Sequence, residues 1–479
     1  MKVLFAASEA FPFVKTGGLG DVAGSLPKAL QSKDTEIRVI LPNYAAIADE
    51  FASHMTPEVE FTVELGWRKI PCRIQELDHQ GIVYYFLSSD YHFNRPNYYG
   101  YADDGERFAL FCKSVLTGLK YLDYQADILH SHDWHTALIP LLLQENFRME
   151  PFYSGMKTML TIHNLQYQGQ VPLDCFEDLL GLGGHTAAWE KLEYKGCLNF
   201  LKAGILAADV ITTVSPTYAK EIQHAYYGET LDAILRQRKA DLHGILNGID
   251  TDLFDPSKDP FLAINYCSDW AKKKQNKKAL QELLNLPAEG DRPMLAMVTR
   301  LVAQKGLDLV MHILIELMSM DLQLVVLGTG DKRFEESLRY FAEKYSDKFI
   351  LCTTFDEVLA HKIYGGADLL LMPSKMEPCG LSQMIAMRYG TLPIVREVGG
   401  LKDSVIPYNE FTGEGTGFSF ANYNAHELLF TIQKAVKLYY ENKKAWTALV
   451  KNALSKDFSW HQSAGQYKKL YQHLLKKGN

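Results

Sequence analysis

Short apolar runs recur along the chain, and each is followed by polar residues and then by a helical pattern. Such runs are typical of the strands of a parallel sheet, because helices cover both faces of that sheet. In the first half the runs are Val3–Ala7, Ile37–Leu41, Ile128–His130, Met159–His163 and Val210–Val214, and in the second half they are Leu295–Val298, Leu324–Leu327, Ile350–Leu351, Leu369–Met372 and Leu392–Val395. This alternation predicts an α/β protein with two doubly wound, Rossmann-like domains.

A turn-rich segment, His243–Pro256, lies between two stretches of similar length and is the candidate hinge. The predicted organisation is a first domain over residues 1–242, a hinge over 243–256, a second domain over 257–455 and a final helix within 456–479. Ligands of doubly wound domains bind at the carboxyl ends of the strands. We therefore expect the ligand to lie in a deep cleft between the two domains.

Two further segments have a clear pattern. Residues 61–87 alternate in hydropathy and carry turn signals, which predicts a hairpin-rich insertion in the first domain. Near the end of the chain, Tyr467, Leu470, Tyr471 and Leu474 recur at helical spacing. The final helix is therefore amphipathic and must pack on another element.

The composition excludes several classes of protein. The 479 residues are 47% hydrophobic and 22% charged, with a formal net charge of −7. No long basic run and no apolar stretch of about 18 residues is present, so neither nucleic acid nor a membrane is an expected partner. Glu9 ends the first apolar run too early for a signal peptide, and seven scattered cysteines favour reduced thiols. We expect a cytoplasmic protein.

A glycine-rich loop, Lys15–Val22, follows the first predicted strand and opens a helix. Its three glycines would leave backbone N–H groups accessible, and the amino end of the helix favours an anion such as phosphate. The alternative is a strand-to-helix turn that needs glycine only for its backbone conformation.

Two cations stand in the loop after the first strand of the second half. Arg300 ends that strand, and Lys305 follows in the same loop. A guanidinium and an ammonium at the carboxyl end of a strand suit a pyrophosphate, although a solvated loop would also carry such charges.

The segment Glu377–Ser382 follows another predicted strand and leads into a helix. Its amides and the Ser382 hydroxyl could bind sugar hydroxyls or phosphate, and Glu377 could accept a hydrogen bond from a sugar hydroxyl. A turn with an acid beside a helix is the alternative. Cys379 has no adjacent histidine and is expected to be a packed thiol.

Histidines cluster at the ends of two strands. His130, His132 and His135 lie close to Asp133 in the sequence, but their spacing does not match a zinc site, so no metal is expected. Asp133 and Trp134 fit a sugar-binding rim better. His163 could donate to a hydroxyl or to a developing charge, or could be a satisfied core histidine.

The carboxylates Asp250 and Asp252 have the spacing with which many nucleotide-sugar enzymes hold a divalent ion. They follow Asn247–Gly248 inside the candidate hinge. Aspartates in such a position commonly accept hydrogen bonds from nearby backbone amides, so we interpret them as part of a turn.

Taken in chain order, these motifs resemble those of the bacterial glycogen synthases and plant starch synthases, which are retaining glycosyltransferases of the GT-B fold that use ADP-glucose. The resemblance spans nearly the whole chain. The matching motifs are Lys15–Leu19, His132–His135, Asn247–Asp250, Arg300–Gly306, Glu377–Leu381 and Val398–Leu401.

The resemblance implies transfer of glucose from ADP-glucose to the non-reducing end of an α-1,4-glucan such as glycogen, with retention and without a cofactor. It also implies that the final helix crosses back to the first domain. A phosphorylase, a sugar-nucleotide epimerase and a non-catalytic glucan-binding protein are the alternatives. A phosphorylase would need a lysine site for pyridoxal phosphate, which an absorbance scan would reveal.

Residue roles follow from the same resemblance. The implied catalytic residues are Lys15, His163, Arg300, Lys305 and Glu377. The implied donor-binding residues are Gly18, Asp21, Asp133, Asn247, Phe355, Cys379, Gly380, Leu381 and Ser382. Arg300 and Lys305 would hold the diphosphate, the Gly18 amide would reach its distal phosphate, and Phe355 would stack on adenine.

Two positions depart from common patterns. Many retaining GT-B enzymes have a second glutamate where this chain has Ile385, but glycogen synthases of this type commonly lack that acid. Phe355 replaces the more usual tyrosine. Phenylalanine can still stack on a base, but it has no phenolic hydroxyl to form a hydrogen bond.

Overall fold

The computed structural model describes residues 1–47, 49–267, 270–288, 291–354 and 356–476. The chain forms two compact units: Met1–Gly248 together with Trp460–Asn479 is the first, and Ile249–Ser459 is the second. Across the described residues, no helix has both the length and the apolar character needed to cross a membrane.

The first unit is built on a sheet that has nine strands within the described residues, in the order β12-β11-β7-β6-β1-β2-β5-β4-β3. The strands of this unit are β1 (Lys2–Ala6), β2 (Glu36–Pro42), β3 (Thr56–Leu65), β4 (Arg68–His79), β5 (Ile82–Ser88), β6 (Ile128–His132), β7 (Lys157–Ile162), β8 (Gln170–Val171), β9 (Glu193–Tyr194), β10 (Cys197–Asn199), β11 (Val210–Thr213) and β12 (Leu242–Gly244). Strands β8, β10 and β9 form a small separate sheet.

The helices of the first unit that precede the second unit in the chain are α1 (Gly18–Leu30), α2 (Asp49–Ala52), α3 (Asp90–Phe93), α4 (Asp104–Tyr121), α5 (Leu138–Leu142), α6 (Cys175–Asp178), α7 (Thr186–Leu192), α8 (Phe200–Ala207), α9 (Pro216–Glu221) and α10 (Asp232–Gln237). The final helix, α20 (Trp460–Lys476), also belongs to this unit and packs against α1. Tyr467, Tyr471 and Leu474 of α20 are buried in the core of this unit. The apolar face expected of the final helix is thus covered, because burying it removes that surface from water.

The second unit has a parallel sheet with six strands among the described residues, in the order β15-β14-β13-β16-β17-β18. Its strands are β13 (Met294–Val298), β14 (Gln323–Leu327), β15 (Phe349–Cys352), β16 (Leu369–Met372), β17 (Leu392–Arg396) and β18 (Phe418–Phe420). Its helices are α11 (Trp270–Leu283), α12 (Leu307–His312), α13 (Leu314–Ser319), α14 (Lys332–Lys344), α15 (Glu357–Gly366), α16 (Ser382–Arg388), α17 (Gly399–Ser404), α18 (Ala425–Glu441) and α19 (Lys443–Leu454).

The prediction of an α/β fold with two doubly wound domains is confirmed. Each apolar run used for that prediction coincides with a strand of one of the two large sheets, within a residue or two at its ends. The hairpin expected over residues 61–87 is present, and its strands belong to the main sheet of the first unit. Its last strand, β5, pairs in parallel with β2, so the hairpin extends the main sheet.

A buried carboxylate, Asp368, joins the two central strands of the second unit and forms an ion pair with a helix. The carboxylate of Asp368, just before β16, accepts hydrogen bonds from the Met294 amide of β13 at 2.8 Å and from the Lys277 ammonium of α11 at 2.6 Å. The side chains of Lys277 and Asp368 are 3% and 4% exposed. This contact fixes the start of β13 beside the start of β16.

Replacing Lys277 by Met should lower the free energy of unfolding by about 3–5 kcal/mol, because the Asp368 carboxylate would remain buried without its cation. The double variant with Asp368→Asn should recover part of that loss, since asparagine is neutral and can still accept from Met294. Urea denaturation measures both effects. Lys437→Met, which removes an exposed ion pair with Glu441, is the control and should change stability by less than about 1 kcal/mol. Equal effects of the two lysine variants would contradict the interpretation.

Candidate active site

Each large sheet has a topological switch point at its first strand, because later strands are added on both sides of that strand. In the first unit β1 lies between β2 and β6, and in the second unit β13 lies between β14 and β16. The loops after the two strands at such a switch point diverge and leave a crevice at the carboxyl edge of the sheet. The glycine-rich loop follows β1, Asp133 follows β6, and the motifs with Arg300 and Glu377 follow β13 and β16.

The glycine-rich loop is held by a buried carboxylate. Glu9 is 4% exposed and accepts hydrogen bonds from the Thr16 amide at 2.6 Å, the Thr16 hydroxyl at 2.6 Å and the Gly17 amide at 3.4 Å. The Tyr99 hydroxyl donates to the same carboxylate at 2.8 Å. Hydrogen bonds to an ionised acceptor are stronger than neutral ones, so Glu9 fixes the conformation of the loop.

The exposed side of this loop is open. Thr16, Gly17 and Gly18 are exposed, and a Cβ placed on Gly17 or Gly18 would meet no heavy atom within 4 Å. Lys15 forms an ion pair with Asp21 at 2.7 Å, and both side chains are partly exposed. Helix α1 begins at Gly18, so its free N–H groups face this open space, where an anion could approach the backbone.

Asp133 turns the chain after β6 and is bonded to the segment after β7. Its φ of 56° lies in the left-handed region, and its carboxylate accepts from the His163 amide at 2.7 Å and from the Asn164 amide at 3.4 Å. Burial raises the pKa of Asp133 to about 7, although these two amides oppose the shift.

His163 lies in the same part of the first unit and is 9% exposed. Its Nε2 is 3.0 Å from Nδ1 of His132, and burial lowers the pKa of His163 to about 3. The ring is therefore neutral near pH 7. Strand β7, which His163 follows, pairs with β6, so His163 and Asp133 lie at the same edge of the sheet.

Asn247 lies at the end of the first unit and is 5% exposed. Its side-chain oxygen is buried and has no hydrogen-bond partner among the described residues. A buried amide oxygen without a partner is costly, and a ligand hydroxyl could satisfy it. Within the described part of the chain, no hydrogen bond joins Asn247 to another predicted site residue.

In the second unit, Lys305 and Glu377 form a close ion pair. The Lys305 ammonium is 2.9 Å and 2.7 Å from the two Glu377 oxygens, and the Ser374 hydroxyl donates to Glu377 at 2.8 Å. Glu377 is 5% exposed. Arg300 is exposed, and its side chain has no hydrogen bond or ion pair within the described part of the chain. The guanidinium is thus available to an anion, whereas the ammonium in the same loop is already paired.

Two glycines allow the Glu377 loop to pack on helix α17. A Cβ on Gly399, whose φ is 45°, would lie 2.0 Å from the Glu377 carbonyl oxygen. A Cβ on Gly400 would lie 2.2 Å from the Cys379 carbonyl oxygen, and its amide donates to the Glu377 and Pro378 carbonyls. Larger residues would displace the loop, which explains the motif Val398–Leu401 in physical terms.

The segment after Glu377 places four predicted residues at the start of α16. Cys379 is a buried thiol at 6% exposure, as expected of a packed cysteine. Gly380 has a φ of 72°, Leu381 immediately precedes the helix, and Ser382 is its first residue. The Gln383 side chain braces this turn, because its amide donates to the carbonyls of Cys379 and Gly380.

Two further sequence predictions have different outcomes. Asp250 accepts from the Asp252 and Leu253 amides at 2.9 Å and 3.0 Å, so its interpretation as a turn residue is confirmed. Phe355 lies outside the described residues. The described residues contain no group of three histidine, cysteine or acidic side chains that could hold a metal ion.

Sequence reasoning missed the residues that position the loops, namely Glu9, Tyr99 and Gln383. In the sequence, Glu9 is conspicuous only as the residue that ends the first apolar run. An acid between a buried strand and a loop rich in N–H donors was the available signal. Nothing in the local sequence of Tyr99 or Gln383 indicates their hydrogen-bond partners.

Comparison with known proteins agrees with this arrangement. Residues 2–237 match the model described as the starch synthase catalytic domain, and residues 282–453 match the model of group 1 glycosyl transferases. The chain is 53% identical over 478 residues to glycogen synthases of Geobacillus thermodenitrificans (strain NG80-2) and Geobacillus stearothermophilus, covering 100% of this chain and 98% of each relative.

The chain belongs to the glycogen synthase and starch synthase family. A solved structure of the catalytic domain of starch synthase IV from Arabidopsis thaliana, bound to ADP and acarbose, is similar at 33% identity and a TM-score of 0.91, with 99% of both chains covered. This member of the family is thus a glycosyltransferase with the GT-B fold. The family and the fold class inferred from the sequence motifs are confirmed.

In this family member, Glu9→Gln should loosen the glycine-rich loop. The substitution removes the charge and turns one acceptor into a donor that faces the Thr16 donors. We expect hydrogen exchange at the Thr16 and Gly17 amides to accelerate by about 10- to 100-fold, as loss of a charged hydrogen bond of about 1.5–3 kcal/mol implies. Exchange measured by NMR or mass spectrometry tests this. The exposed Glu64→Gln should leave it unchanged, and an unaltered rate in Glu9→Gln would contradict the role of Glu9.

The raised pKa of Asp133 predicts a pH-dependent stability. Between its unfolded value of 3.8 and its folded value of about 7, the folded protein retains a proton that the unfolded chain releases. Stability is therefore lost as the pH rises. The reference variant is Asp133→Asn, which keeps the acceptor and tolerates the positive φ. Relative to this variant, the free energy of unfolding of the wild-type chain should fall by about 2–3 kcal/mol between about pH 5 and pH 8. Denaturant unfolding at both pH values measures this. The control is Asp34→Asn, at an exposed position. If the difference in the free energy of unfolding between the wild type and Asp133→Asn does not change with pH, the raised pKa of Asp133 is refuted.

Proposed function

We propose that the protein transfers glucose from ADP-glucose to the non-reducing 4-hydroxyl of an α-1,4-glucan, with retention of the anomeric configuration. The observation that carries the proposal is the pair of cations, Arg300 and Lys305, in the loop after β13 at the switch point of the second unit. The similar starch synthase IV structure was solved with ADP and acarbose, a nucleotide and an oligosaccharide.

The diphosphate of the donor would bind Arg300 and Lys305. Arg300 is exposed and unpaired within the described residues, and a guanidinium can bind two phosphate oxygens at once. Lys305 would keep or exchange its contact with Glu377 when the diphosphate arrives. The amide of Gly18, at the amino end of α1, would bind the distal phosphate, and Lys15 with Asp21 would lie beside it.

The glucosyl group would bind a set of buried polar groups. Glu377 and the amides of Cys379, Gly380, Leu381 and Ser382 would bind its hydroxyls, and Phe355 would stack on adenine. His163, Asp133 and Asn247 from the first unit would bind hydroxyls of the donor or the acceptor. These assignments extend the family's motifs to matching positions, and the burial of Glu377, His163 and Asn247 supports them.

The chemistry would depend on charge stabilisation. The bond from the anomeric carbon to the phosphate oxygen breaks, which leaves an oxocarbenium-like sugar and the ADP leaving group. The acceptor hydroxyl attacks on the face the phosphate leaves, and its proton passes to the departing phosphate oxygen. Cations and amides directed at the developing charge would supply most of the rate. We further propose that segment 243–256 is a hinge and that closure brings Lys15–Gly18 to the donor.

The proposal includes the cytoplasm as the compartment. All seven cysteines are described, and all are free thiols. Free thiols are typical of a reducing environment.

The proposal is tested by offering the protein labelled ADP-glucose or UDP-glucose with glycogen and following label into polymer. We expect incorporation from ADP-glucose, and no incorporation from either donor would overturn the assignment. Lys305→Ala should lower turnover about a hundredfold or more, because a cation directed at the leaving group is lost. The variant also leaves the buried Glu377 carboxylate without its cation, so turnover is measured at a temperature at which thermal unfolding shows the variant to be folded. The exposed Lys437→Ala is the matched control. Unchanged turnover in Lys305→Ala would refute the phosphate role.

A further inference from the structure

Two histidines of β6 and the histidine that follows β7 form a buried chain of contacts. His130 and His132 are fully buried, with ring centroids 4.2 Å apart. Nδ1 of His130 is 2.8 Å from the Tyr471 hydroxyl of α20, and its Nε2 is 2.6 Å from the Thr161 hydroxyl. Both ring nitrogens of His130 are thus satisfied within the core.

His132 differs because only one of its ring nitrogens has a partner. Its Nδ1 is 3.0 Å from Nε2 of His163, whereas its own Nε2 is buried without a partner among the described residues. The ring is held in place by stacking on Phe5, with centroids 5.0 Å apart and planes 28° apart. The Thr136 hydroxyl also bonds the His132 amide and carbonyl. His132 is therefore rigid.

The lack of a partner at Nε2 of His132 determines which of the two rings donates the hydrogen bond between His132 and His163. Burial lowers the pKa of both rings, so each carries a single ring proton at neutral pH. If His163 donated to His132, the proton of His132 would sit on Nε2, where it would be a buried N–H without an acceptor. Orphaned buried N–H groups are rarer in proteins than unsatisfied acceptors. The favoured arrangement has His132 Nδ1–H donating to Nε2 of His163.

We propose that His132 is a positioning residue that holds His163 as its Nδ1–H tautomer, so that His163 can only donate to the substrate through Nδ1. The inference rests on the proposed function, since His163 was assigned there to the sugar. Nδ1 of His163 has no partner within the described residues. A neutral donor at this place can bind a sugar hydroxyl or a developing negative charge, and it cannot serve as a general base through Nε2, which is already occupied.

Two variants of His132 separate this role from simple packing. His132→Phe keeps an aromatic ring beside Phe5 and His130 but removes the hydrogen bond. His132→Asn has a side-chain N–H that can take the place of Nδ1–H. We expect kcat to fall about 10- to 100-fold in His132→Phe with little change in the KM for ADP-glucose, and to return most of the way in His132→Asn. If His132 only filled space in the core, the smaller asparagine would not restore kcat.

The tautomer is read directly by NMR of the ligand-free protein labelled with ¹⁵N-histidine, with His163→Ala used to assign the signal. We expect the ¹⁵N shifts of an Nδ1–H ring in the wild type and a shift toward the Nε2–H form in His132→Phe. The control is His92→Phe, which removes a buried histidine bonded to Ser89 and Glu106. It should leave the His163 signal unchanged.

The outcomes are distinguishable from those of the proposed function. An Nε2–H ring at His163 in the wild type, or wild-type turnover in His132→Phe, overturns the role of His132 even if glucose transfer is observed. If the wild type transfers no glucose, the proposed function fails, whereas the NMR experiment still decides whether His132 sets the tautomer.

Discussion

The arrangement of the candidate site depends on one constraint, the parallel pairing of a central strand with a neighbour on each side. β1 pairs with β2 and with β6, and β13 pairs with β14 and with β16. Parallel neighbours require a crossover connection, so the chain leaves the carboxyl end of each strand in a helix or a long loop. Where the two connections diverge, backbone amides and side chains are left without partners from the sheet. The chemically interesting residues of both units lie there.

These crevices contain buried carboxylates that are stabilised in different ways. Glu9 accepts from amide and hydroxyl donors, and Glu377 accepts from the Lys305 ammonium and the Ser374 hydroxyl. Among the described residues, the Asp133 carboxylate accepts from two amides. A buried charge needs a partner, and the quality of the partners decides its protonation. Two amides do not offset the burial of Asp133, and its pKa rises to about 7. The crevice of the first unit therefore contains, at Asp133, a carboxyl group that titrates near neutral pH.

Much of this was predictable from the sequence. Apolar runs such as Leu369–Met372 mark buried strands because burial is encoded locally, and polar residues directly after a strand mark the edge where ligands bind. The partners were not predictable. Lys305 and Glu377 are 72 positions apart, and Tyr99 and Glu9 are 90 positions apart, so their contacts depend on strand order. The three-residue strands β12 and β18 are too short to show a period. The tautomer of His163 depends on an unsatisfied nitrogen of His132, which only the packing reveals.

The first unit is discontinuous in the chain, because residues 249–459 are inserted between Gly248 and Trp460. Its core is completed by four residues of the final helix: Trp460, Tyr467, Tyr471 and Leu474. The Tyr471 hydroxyl is hydrogen-bonded to Nδ1 of His130. During synthesis, the ribosome releases this last helix only after the whole second unit has been made. The amino-terminal half must therefore wait with its α1 face uncovered, while the inserted unit is free to complete its own sheet first. The core of the first unit is thus complete only when the last helix has been made.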